Sequence, residues 1–435
     1  MEILQLNSKQ LTSVKNYLLL DILPVARKGS SVFTANIVDR LSSVAVFWLI
    51  ARIYGPFFYG QATTIFTICG LIDIIFQWGF PVFIQRETAR SNAQIKKYIY
   101  KLVNIRITTF LVFIIIPVLY FSFIATSKVN FGSVGIITAA VFVNSVSQIL
   151  VSYFYGLGSG AFVLKSVIYS RLLFLLSFIS VFIKSIPPEF ILILFLIVYI
   201  CQSVLLINKF GFSSTFFKEE TGKDNRGLAK KIINECAPIV ITSALVTFYD
   251  KIDVMIISNM RGYDEVAFYN IAYNIYKLPL IGFSIFFTPL FTAYSRKFHE
   301  KSLNYKESIR FGSVVFSISL ITSFVLYASS GPVIEAVYGR GFSAAAEVLK
   351  YLSFSFIFLA LNNYTNLLIN SMNLNKENVK VFIGSLLINV VLNIVLVRKN
   401  GISGAAFATL ITEMSVLVFQ IFLIKKKLNI RYKFN

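Results

Sequence analysis

Residues 32–54 read VFTANIVDRLSSVAVFWLIARIY, an apolar stretch with Asp39 and Arg40 near its middle. A helix of about 20 such residues is long enough to cross a bilayer. A charge at the centre of such a helix costs about 2.5–3.5 kcal/mol on insertion, so intramembrane charges are rare and usually functional. Two later stretches share the feature: residues 267–290 contain Lys277, and residues 239–259 contain Asp250, Lys251 and Asp253. We therefore predict a bundle of membrane-spanning helices around a polar cavity, which is typical of transport.

The composition indicates an integral membrane protein. Of the 435 residues, 56% are hydrophobic and 14% are charged, and the mean hydropathy is +0.73, whereas soluble domains carry about 25% charged residues. A net charge of +21 would suggest nucleic-acid binding in a soluble protein. Here the basic residues concentrate in alternate loops, which is a signal of membrane topology, and we expect no nucleic-acid partner.

Motifs for catalysis and for cofactor binding are missing from the sequence. It contains neither a glycine-rich phosphate loop with Lys and Ser or Thr, nor a Gly-x-Ser-x-Gly nucleophile motif. The three cysteines have no ligand-like spacing, and the single histidine, His299, lies in a charged loop. We therefore expect a protein that is not an enzyme, with no catalytic residue, cofactor or metal site.

Twelve apolar segments are predicted to cross the membrane. They are approximately residues 31–54, 58–80, 102–125, 133–155, 162–183, 190–210, 232–259, 267–292, 309–330, 347–370, 379–398 and 402–424. The polar loop 211–231 divides the chain into two lobes of six helices, residues 1–210 and 232–435. Lys and Arg concentrate at the termini and in the loops after even-numbered segments. Because such an excess marks the cytoplasmic side, both termini are predicted to be cytoplasmic.

A short internal repeat supports the division into two lobes. Phe58–Ala62 matches Phe268–Ala272, and the pair Asp39-Arg40 falls on Asp250-Lys251 at nearly the same offset. Since six segments is an even number, both lobes enter the membrane in the same direction. This predicts parallel lobes with a cavity between them.

Four intramembrane cations are candidates for binding phosphate: Arg40, Arg171, Lys251 and Lys277. Guanidinium and ammonium groups in a low-dielectric cavity are natural partners of phosphate oxygens. The alternative is an intramembrane ion pair, for example of Arg40 with an aspartate such as Asp250. Arg106 and Lys165 lie nearer the predicted cytoplasmic ends, and we expect them to extend towards the interface.

Five intramembrane acids are candidates for ion coupling or for charge pairing: Asp39, Asp73, Asp250, Asp253 and Glu413. A desolvated carboxyl group can exchange protons near neutral pH, and carboxylates also bind Na⁺. Pairing with a nearby cation is an equally good interpretation.

Polar side chains recur at helical spacing in several segments. Asn363, Asn366 and Asn370 follow this pattern in the tenth segment, and Tyr273 lies in the eighth. Amides and aromatic rings can contact sugar hydroxyls and ring faces, so these four residues are candidates for glycan contact. Hydrogen bonding between helices is the alternative role for each asparagine.

Short sequence motifs along nearly the whole chain resemble those of a known family. They are Trp78–Phe80 with Ile84–Arg90, Tyr249–Asp253 with Phe268–Asn270, Gly331–Glu335 with Tyr338-Gly339, and Gly401–Thr409 followed by Glu413. With twelve segments in two halves, the chain resembles the Wzx-type polysaccharide flippases of the multidrug/oligosaccharidyl-lipid/polysaccharide exporter superfamily.

The resemblance implies a MATE-like fold and a multi-pass protein of the bacterial inner membrane. It implies a flippase that moves undecaprenyl-pyrophosphate-linked oligosaccharide repeat units, such as O-antigen units, from the cytoplasmic to the periplasmic leaflet. Alternating access, a cationic lumen and coupling to H⁺ or Na⁺ belong to this expectation. The implied partners are the lipid-linked oligosaccharide, membrane lipids and a glycan polymerase.

Two other functions compete with this one. A multidrug exporter of the same superfamily would carry mostly cationic drugs, for which an acidic cavity without surplus Arg and Lys is expected. A glycan polymerase or membrane acyltransferase is the enzymatic alternative, but polymerases of this kind usually carry a large periplasmic loop, which the predicted topology lacks.

Overall fold

The computed structural model describes residues 23–90, 95–126, 128–178, 183, 186–211, 225–300, 305–372 and 374–433. In this part of the chain the fold is all-α, as predicted. The helices are α1 (Leu23–Gln77), α2 (Phe80–Ala89), α3 (Ile95–Thr108), α4 (Phe110–Leu119), α5 (Phe131–Gly156), α6 (Gly160–Leu172), α7 (Glu189–Phe210), α8 (Asn225–Met260), α9 (Tyr263–Lys277), α10 (Leu280–His299), α11 (Tyr305–Tyr338), α12 (Ser343–Ser371) and α13 (Asn375–Lys433). A π-helical turn (Tyr120–Ile124) follows α4. One 3₁₀ turn (Leu173–Phe178) follows α6, and another (Arg340–Phe342) precedes α12.

Glycine kinks divide the two longest helices. In α1 the backbone of Gly55 is non-helical (φ 80°, ψ −176°), and Pro56 follows it. In α13 the break lies at Gly401, with φ 59°. Glycine reaches positive φ without the steric cost of a Cβ atom. Both kinks fall between two predicted segments, so each long helix contains two of the twelve.

Seven helices of the described chain are long and apolar enough to cross a membrane, or eight if one bent pair counts as a span. The bent pair is α3 with α4 and its π turn, at an angle of 41°. The predicted segment 267–292 is divided between α9 and α10, and Pro279 lies at the N-terminus of α10. Twelve crossings and cytoplasmic termini remain predictions.

The described chain forms two compact units. Unit 1 comprises residues 1–49, 72–116 and 135–240, of which residues 1–22, 91–94, 179–182, 184–185 and 212–224 lie outside the described residues. Its core contains Phe83 and Ile84 of α2, Leu102 of α3 and Phe154 of α5. The predicted linker 211–231 falls mostly on residues outside the described chain.

Unit 2 comprises residues 50–71, 117–134 and 241–435. Helix α12 is its centre, because it packs against α9, α10, α11 and α13. Two pieces of the predicted N-terminal lobe therefore belong to the same compact unit as the C-terminal helices. One contact within unit 2 is the hydrogen bond from the Tyr59 hydroxyl to Asn270 Oδ1 (3.0 Å). The division into lobes at residues 210 and 232 remains a prediction.

Candidate functional site

In unit 1, Asp39 and Arg40 have different environments although they are adjacent on α1. The Asp39 carboxylate accepts hydrogen bonds from Arg171 Nη2 (2.5 Å) and Nε (2.8 Å). Arg171, on α6, is buried, and its guanidinium lies 5.0 Å from the ring centroid of Tyr199. Arg40 is exposed and has no ion-pair partner among the described residues. Arg171 is thus neutralised, whereas Arg40 has no carboxylate within 4.0 Å in the described chain.

A second ion pair lies deeper in unit 1. Arg106 of α3 is fully buried and donates through Nη2 to Asp73 of α1 (2.7 Å) and to Ser145. Its guanidinium lies 5.4 Å from the Phe113 ring and 5.2 Å from the Phe142 ring. The expectation that Arg106 extends to the interface is therefore wrong, because a carboxylate and two aromatic faces hold it in the interior.

Unit 2 contains a comparable group of charges. On α8, Asp250 pairs with Lys277 of α9 and lies 3.7 Å from Lys251. The Tyr273 hydroxyl donates to the same carboxylate (2.9 Å), and Lys277 Nζ lies 4.4 Å from the Tyr273 ring centroid. Two cations thus lie within 4.0 Å of the single carboxylate of Asp250. The side chains of Lys251 and Lys277 are 31% and 30% exposed, so a ligand can reach them.

Asp253 lies one turn along α8 from Asp250 but has a different kind of environment. Its carboxylate is buried and accepts hydrogen bonds from Tyr269 (2.5 Å), Asn393 (2.8 Å) and Thr409 (3.4 Å). None of the basic side chains that the structure describes lies within 4.0 Å of it. Asn393 Oδ1 is also buried and has no hydrogen-bond partner. This carboxylate is surrounded by neutral oxygen-bearing groups.

Glu413 of α13 is the second buried acid without an ion pair in the described part of the chain. Its Oε1 accepts a hydrogen bond from the Tyr249 hydroxyl (3.0 Å). Its Oε2 accepts one from Asn362 Nδ2 (2.6 Å), which also donates to the Glu413 main-chain oxygen (2.9 Å). The five candidate acids thus fall into two classes: Asp39, Asp73 and Asp250 pair with cations, and Asp253 and Glu413 do not.

Two asparagines of the predicted stripe on α12 form hydrogen bonds with a neighbouring helix or within α12 itself. Asn366 accepts a hydrogen bond from Asn378 of α13 (2.7 Å), and Asn363 donates to the Leu359 carbonyl (2.8 Å). Asn370 is half-buried at the end of α12. Glycan contact by these residues and by the buried Tyr273 remains a prediction.

Sequence reasoning missed the partners of the unpaired acids. Asn362 contacts Glu413, and Thr409 contacts Asp253. Arg106, predicted at the interface, is fully buried. A helical-periodicity signal existed for Asn362, because it lies four residues before Asn366 and so shares a helix face with it. Their contacts join different helices, so the periodicity of a single helix could not identify them.

The chain matches known proteins over most of its length. The family described as "Polysaccharide biosynthesis protein" matches residues 25–295. An uncharacterized membrane protein of Methanocaldococcus jannaschii is 24% identical over 241 residues, which are 53% of this chain and 47% of that protein. The chain thus spans about half the length of that relative.

Solved structures of a transporter and of a flippase share the fold. The inward-facing conformation of a multidrug resistance MATE family transporter of the MOP superfamily has a TM-score of 0.71 at 13% identity, covering 92% of this chain and 96% of that one. Lipid II flippase MurJ in an inward closed conformation has a TM-score of 0.67 at 14% identity, covering 91% and 87%. The matches and the apolar helices show a multi-pass membrane protein with a MATE- and MurJ-like fold. The chain belongs to the polysaccharide biosynthesis protein family, within the multidrug/oligosaccharidyl-lipid/polysaccharide exporter superfamily that its sequence resembles.

Proposed function

We propose that the protein is a flippase for undecaprenyl-pyrophosphate-linked oligosaccharide repeat units in the bacterial inner membrane. It moves them from the cytoplasmic to the periplasmic leaflet by alternating access and delivers them to a glycan polymerase. The family match and the shared fold support a lipid-linked glycan flippase rather than an enzyme. The proposed substrate carries an O-antigen repeat unit, and the proposed partner is a glycan polymerase.

One observation carries the proposal: each half holds one carboxylate and two cations in a similar arrangement. In the N-terminal half, Asp39 pairs with Arg171, and Arg40 stays unpaired. In the C-terminal half, Asp250 pairs with Lys277, and Lys251 lies close to the same carboxylate: Nζ to Oδ2 is 3.7 Å. Counted by ion pairs within 4.0 Å, each group has one more cation than carboxylate, and we assign that cation to an anionic ligand. Phosphate oxygens fit that surplus, because Arg and Lys donate charge-assisted hydrogen bonds to them.

The two unpaired acids support coupling to H⁺ or Na⁺. Burial without a countercharge makes an ionised carboxylate unstable unless a proton or a metal cation binds. The hydroxyl and amide oxygens beside Asp253 are ligands that hard cations accept. We assign the coupling ion to these acids and not to Asp39, Asp73 or Asp250, whose charges are already balanced.

The test removes the surplus cations one at a time. Arg40→Gln and Lys277→Gln are each expected to abolish surface glycan and to leave lipid-linked repeat units facing the cytoplasm, at unchanged protein abundance. Arg340→Gln is the matched control, because Arg340 is 92% exposed and pairs only with Glu335 among the described residues. Normal surface glycan in both Arg40→Gln and Lys277→Gln would refute the cation role.

The multidrug alternative predicts a different phenotype. A deletion strain with altered drug susceptibility and intact surface glycan would favour drug export. The surplus of cations over acids in both groups argues against it, because cationic drugs would be repelled. Repeat units that accumulate on the periplasmic face of a deletion strain would instead indicate a polymerase.

A further inference from the structure

Tyr273 contacts both members of the Asp250–Lys277 ion pair. Its hydroxyl donates a hydrogen bond to Asp250 Oδ1 (2.9 Å), and its ring centroid lies 4.4 Å from Lys277 Nζ. Lys277 Nζ donates to the same oxygen, Asp250 Oδ1. Tyr273 and Lys277 are four residues apart on α9 and therefore share one helix face. One side chain thus binds the carboxylate through its hydroxyl and the ammonium through its ring.

The Tyr273 ring is itself held by its neighbours on α9. The Tyr269 ring stacks on it, with the ring centroids 5.7 Å apart and 23° between the planes. The centroid of the Tyr276 ring lies 5.6 Å away. Tyr269 and Tyr276 are fully buried, and Tyr273 is 6% exposed. A ring packed in this way has little freedom to turn, so it presents the same surface to Lys277 at all times.

Lysine is a flexible ligand for an anion, and ordering it costs free energy. Its ammonium lies at the end of a four-carbon stem and has three N–H donors. In Lys277 one donor is directed to Asp250, and the side chain is 30% exposed, which leaves other donors for an incoming anion. The Tyr273 ring attracts the ammonium electrostatically. Because the ammonium is already held near this position, less side-chain freedom is lost when an anion binds.

The Tyr273 hydroxyl acts on the carboxylate of the pair. An anion that takes the Lys277 ammonium removes one cation from Asp250. The Asp250 Oδ1 atom then keeps the hydrogen bond from Tyr273, and Oδ2 keeps Lys251 Nζ at 3.7 Å. A carboxylate that retains a donor and a cation is much less costly than one left without partners. The exchange of one anion for another at Lys277 is therefore inexpensive.

We propose that Tyr273 is a positioning residue, which holds the Lys277 ammonium and the Asp250 carboxylate so that a phosphate group can replace the carboxylate at Lys277. The inference rests on the proposed function, which assigns Lys277 to the substrate phosphate. Asp250 occupies the ammonium while no substrate is bound, and Tyr273 keeps both groups in place during the exchange.

The first test observes Lys277 without a phosphate ligand. Reductive methylation with ¹³C-formaldehyde labels the lysines of the full-length protein in detergent, and the signal that is missing in Lys277→Gln belongs to Lys277. A methyl group above an aromatic ring resonates upfield, so the Lys277 signal should lie upfield of exposed lysines. Tyr273→Phe should retain this shift, and Tyr273→Leu should remove it. A Lys277 signal that Tyr273→Leu leaves unchanged would overturn the proposal.

The second test measures the binding of inorganic pyrophosphate to the full-length protein. Tyr273→Leu should weaken binding about tenfold, which is the scale of a partly desolvated cation–π contact. Tyr273→Phe keeps the ring and should restore part of this loss. In a Lys277→Gln background, Tyr273→Leu should have no further effect, because Tyr273 acts through Lys277. Equal weakening in both backgrounds would indicate a general structural role and would overturn the proposal.

Tyr364→Leu is the matched control for the loss of a buried tyrosine. Tyr364 is 3% exposed, and its hydroxyl donates to the Ser308 carbonyl (2.7 Å). This variant should lower the unfolding temperature without weakening pyrophosphate binding. Weakening as large as that in Tyr273→Leu would contradict the positioning role.

The results separate this inference from the proposed function. Normal surface glycan in both Arg40→Gln and Lys277→Gln, together with the expected pyrophosphate results, would refute the flippase and leave the positioning role intact. If the unmodified protein does not bind pyrophosphate, the positioning role is refuted even where the glycan variants behave as expected.

Discussion

At the scale of single residues, the partner of each buried charge determines what that charge can do. Arg106 and Arg171 are both deep in unit 1, and each is neutralised by one aspartate. Glu413 is equally buried, yet its hydrogen-bond partners are neutral. The first two charges stabilise an arrangement of helices, while the last one can change its protonation state.

The Asp73–Arg106 pair should be needed for stability. Asp73→Asn leaves a buried guanidinium without an anion, so we expect a loss of about 3–5 kcal/mol. The double variant Asp73→Leu/Arg106→Met removes both charges and should recover most of that loss. Thermal unfolding of the purified protein measures both effects. A double variant as unstable as Asp73→Asn would show that the ion pair is not the cause.

Glu265 should make stability depend on pH. It lies between two predicted membrane segments, where burial raises the pKa of its carboxyl group, and Arg261 and the Ile402 N–H only partly oppose this. A raised pKa in the folded state means that the folded protein binds the proton more tightly, so stability falls as the pH rises above the ordinary value of about 4.3.

The variant Glu265→Gln has no carboxyl group to ionise. Its unfolding temperature relative to the unmodified protein should therefore increase as the pH rises through this window. Unfolding temperatures measured across the range provide the test. Parallel curves for the two proteins would contradict the expectation.

At the scale of helices, two features organise unit 2: the close approach of α1 to α9, and arginines that donate hydrogen bonds to main-chain carbonyls at helix ends. A Cβ atom on Gly60 of α1 would collide with the main-chain carbonyl of Tyr263 at the start of α9. Arg52 donates to the carbonyls of Ala336 (2.6 Å) and Val337 (2.7 Å) at the end of α11. Arg261 similarly donates to Val397 (2.9 Å) and Arg398 (3.0 Å) before the Gly401 kink. Each arginine places a positive charge at a helix C-terminus, which the helix dipole favours.

Gly60→Ala should weaken the packing of α1 on α9. The methyl group has no space beside the Tyr263 carbonyl, so the helices must separate, and overpacking of this kind costs about 1–3 kcal/mol. Gly70→Ala is the matched control on the same helix, because nothing lies within 4 Å of its Cβ position. Thermal unfolding of both variants tests this. Equal stability of the two would mean that the close approach is not essential.

At the scale of the whole molecule, the distribution of Lys and Arg predicts the sidedness of the loops. Lys306 lies in a loop predicted to be cytoplasmic, and Arg340 lies in one predicted to be periplasmic. Both side chains are exposed. The native cysteines Cys69 and Cys236 are buried, so they should contribute little background to labelling from outside.

Cysteine labelling in intact cells tests this topology. A membrane-impermeant maleimide should label the variant Arg340→Cys and should label Lys306→Cys only after the membrane is permeabilised. The unmodified protein serves as the control for Cys69, Cys201 and Cys236. Labelling of Lys306→Cys in intact cells would contradict cytoplasmic termini joined by twelve crossings.

The sequence by itself determined the all-α membrane class, the family, and the presence of charges inside apolar segments. These follow from hydropathy and spacing along one helix, which are local properties. Only the tertiary structure decided which charges are balanced: Asp39 pairs with Arg171, Asp73 with Arg106, and Asp250 with Lys277, while Asp253 and Glu413 have neutral partners. Each of these pairs joins two different helices, at separations of 27 to 132 residues. Their geometry depends on how whole helices pack, and helical periodicity contains no information about the neighbouring helix.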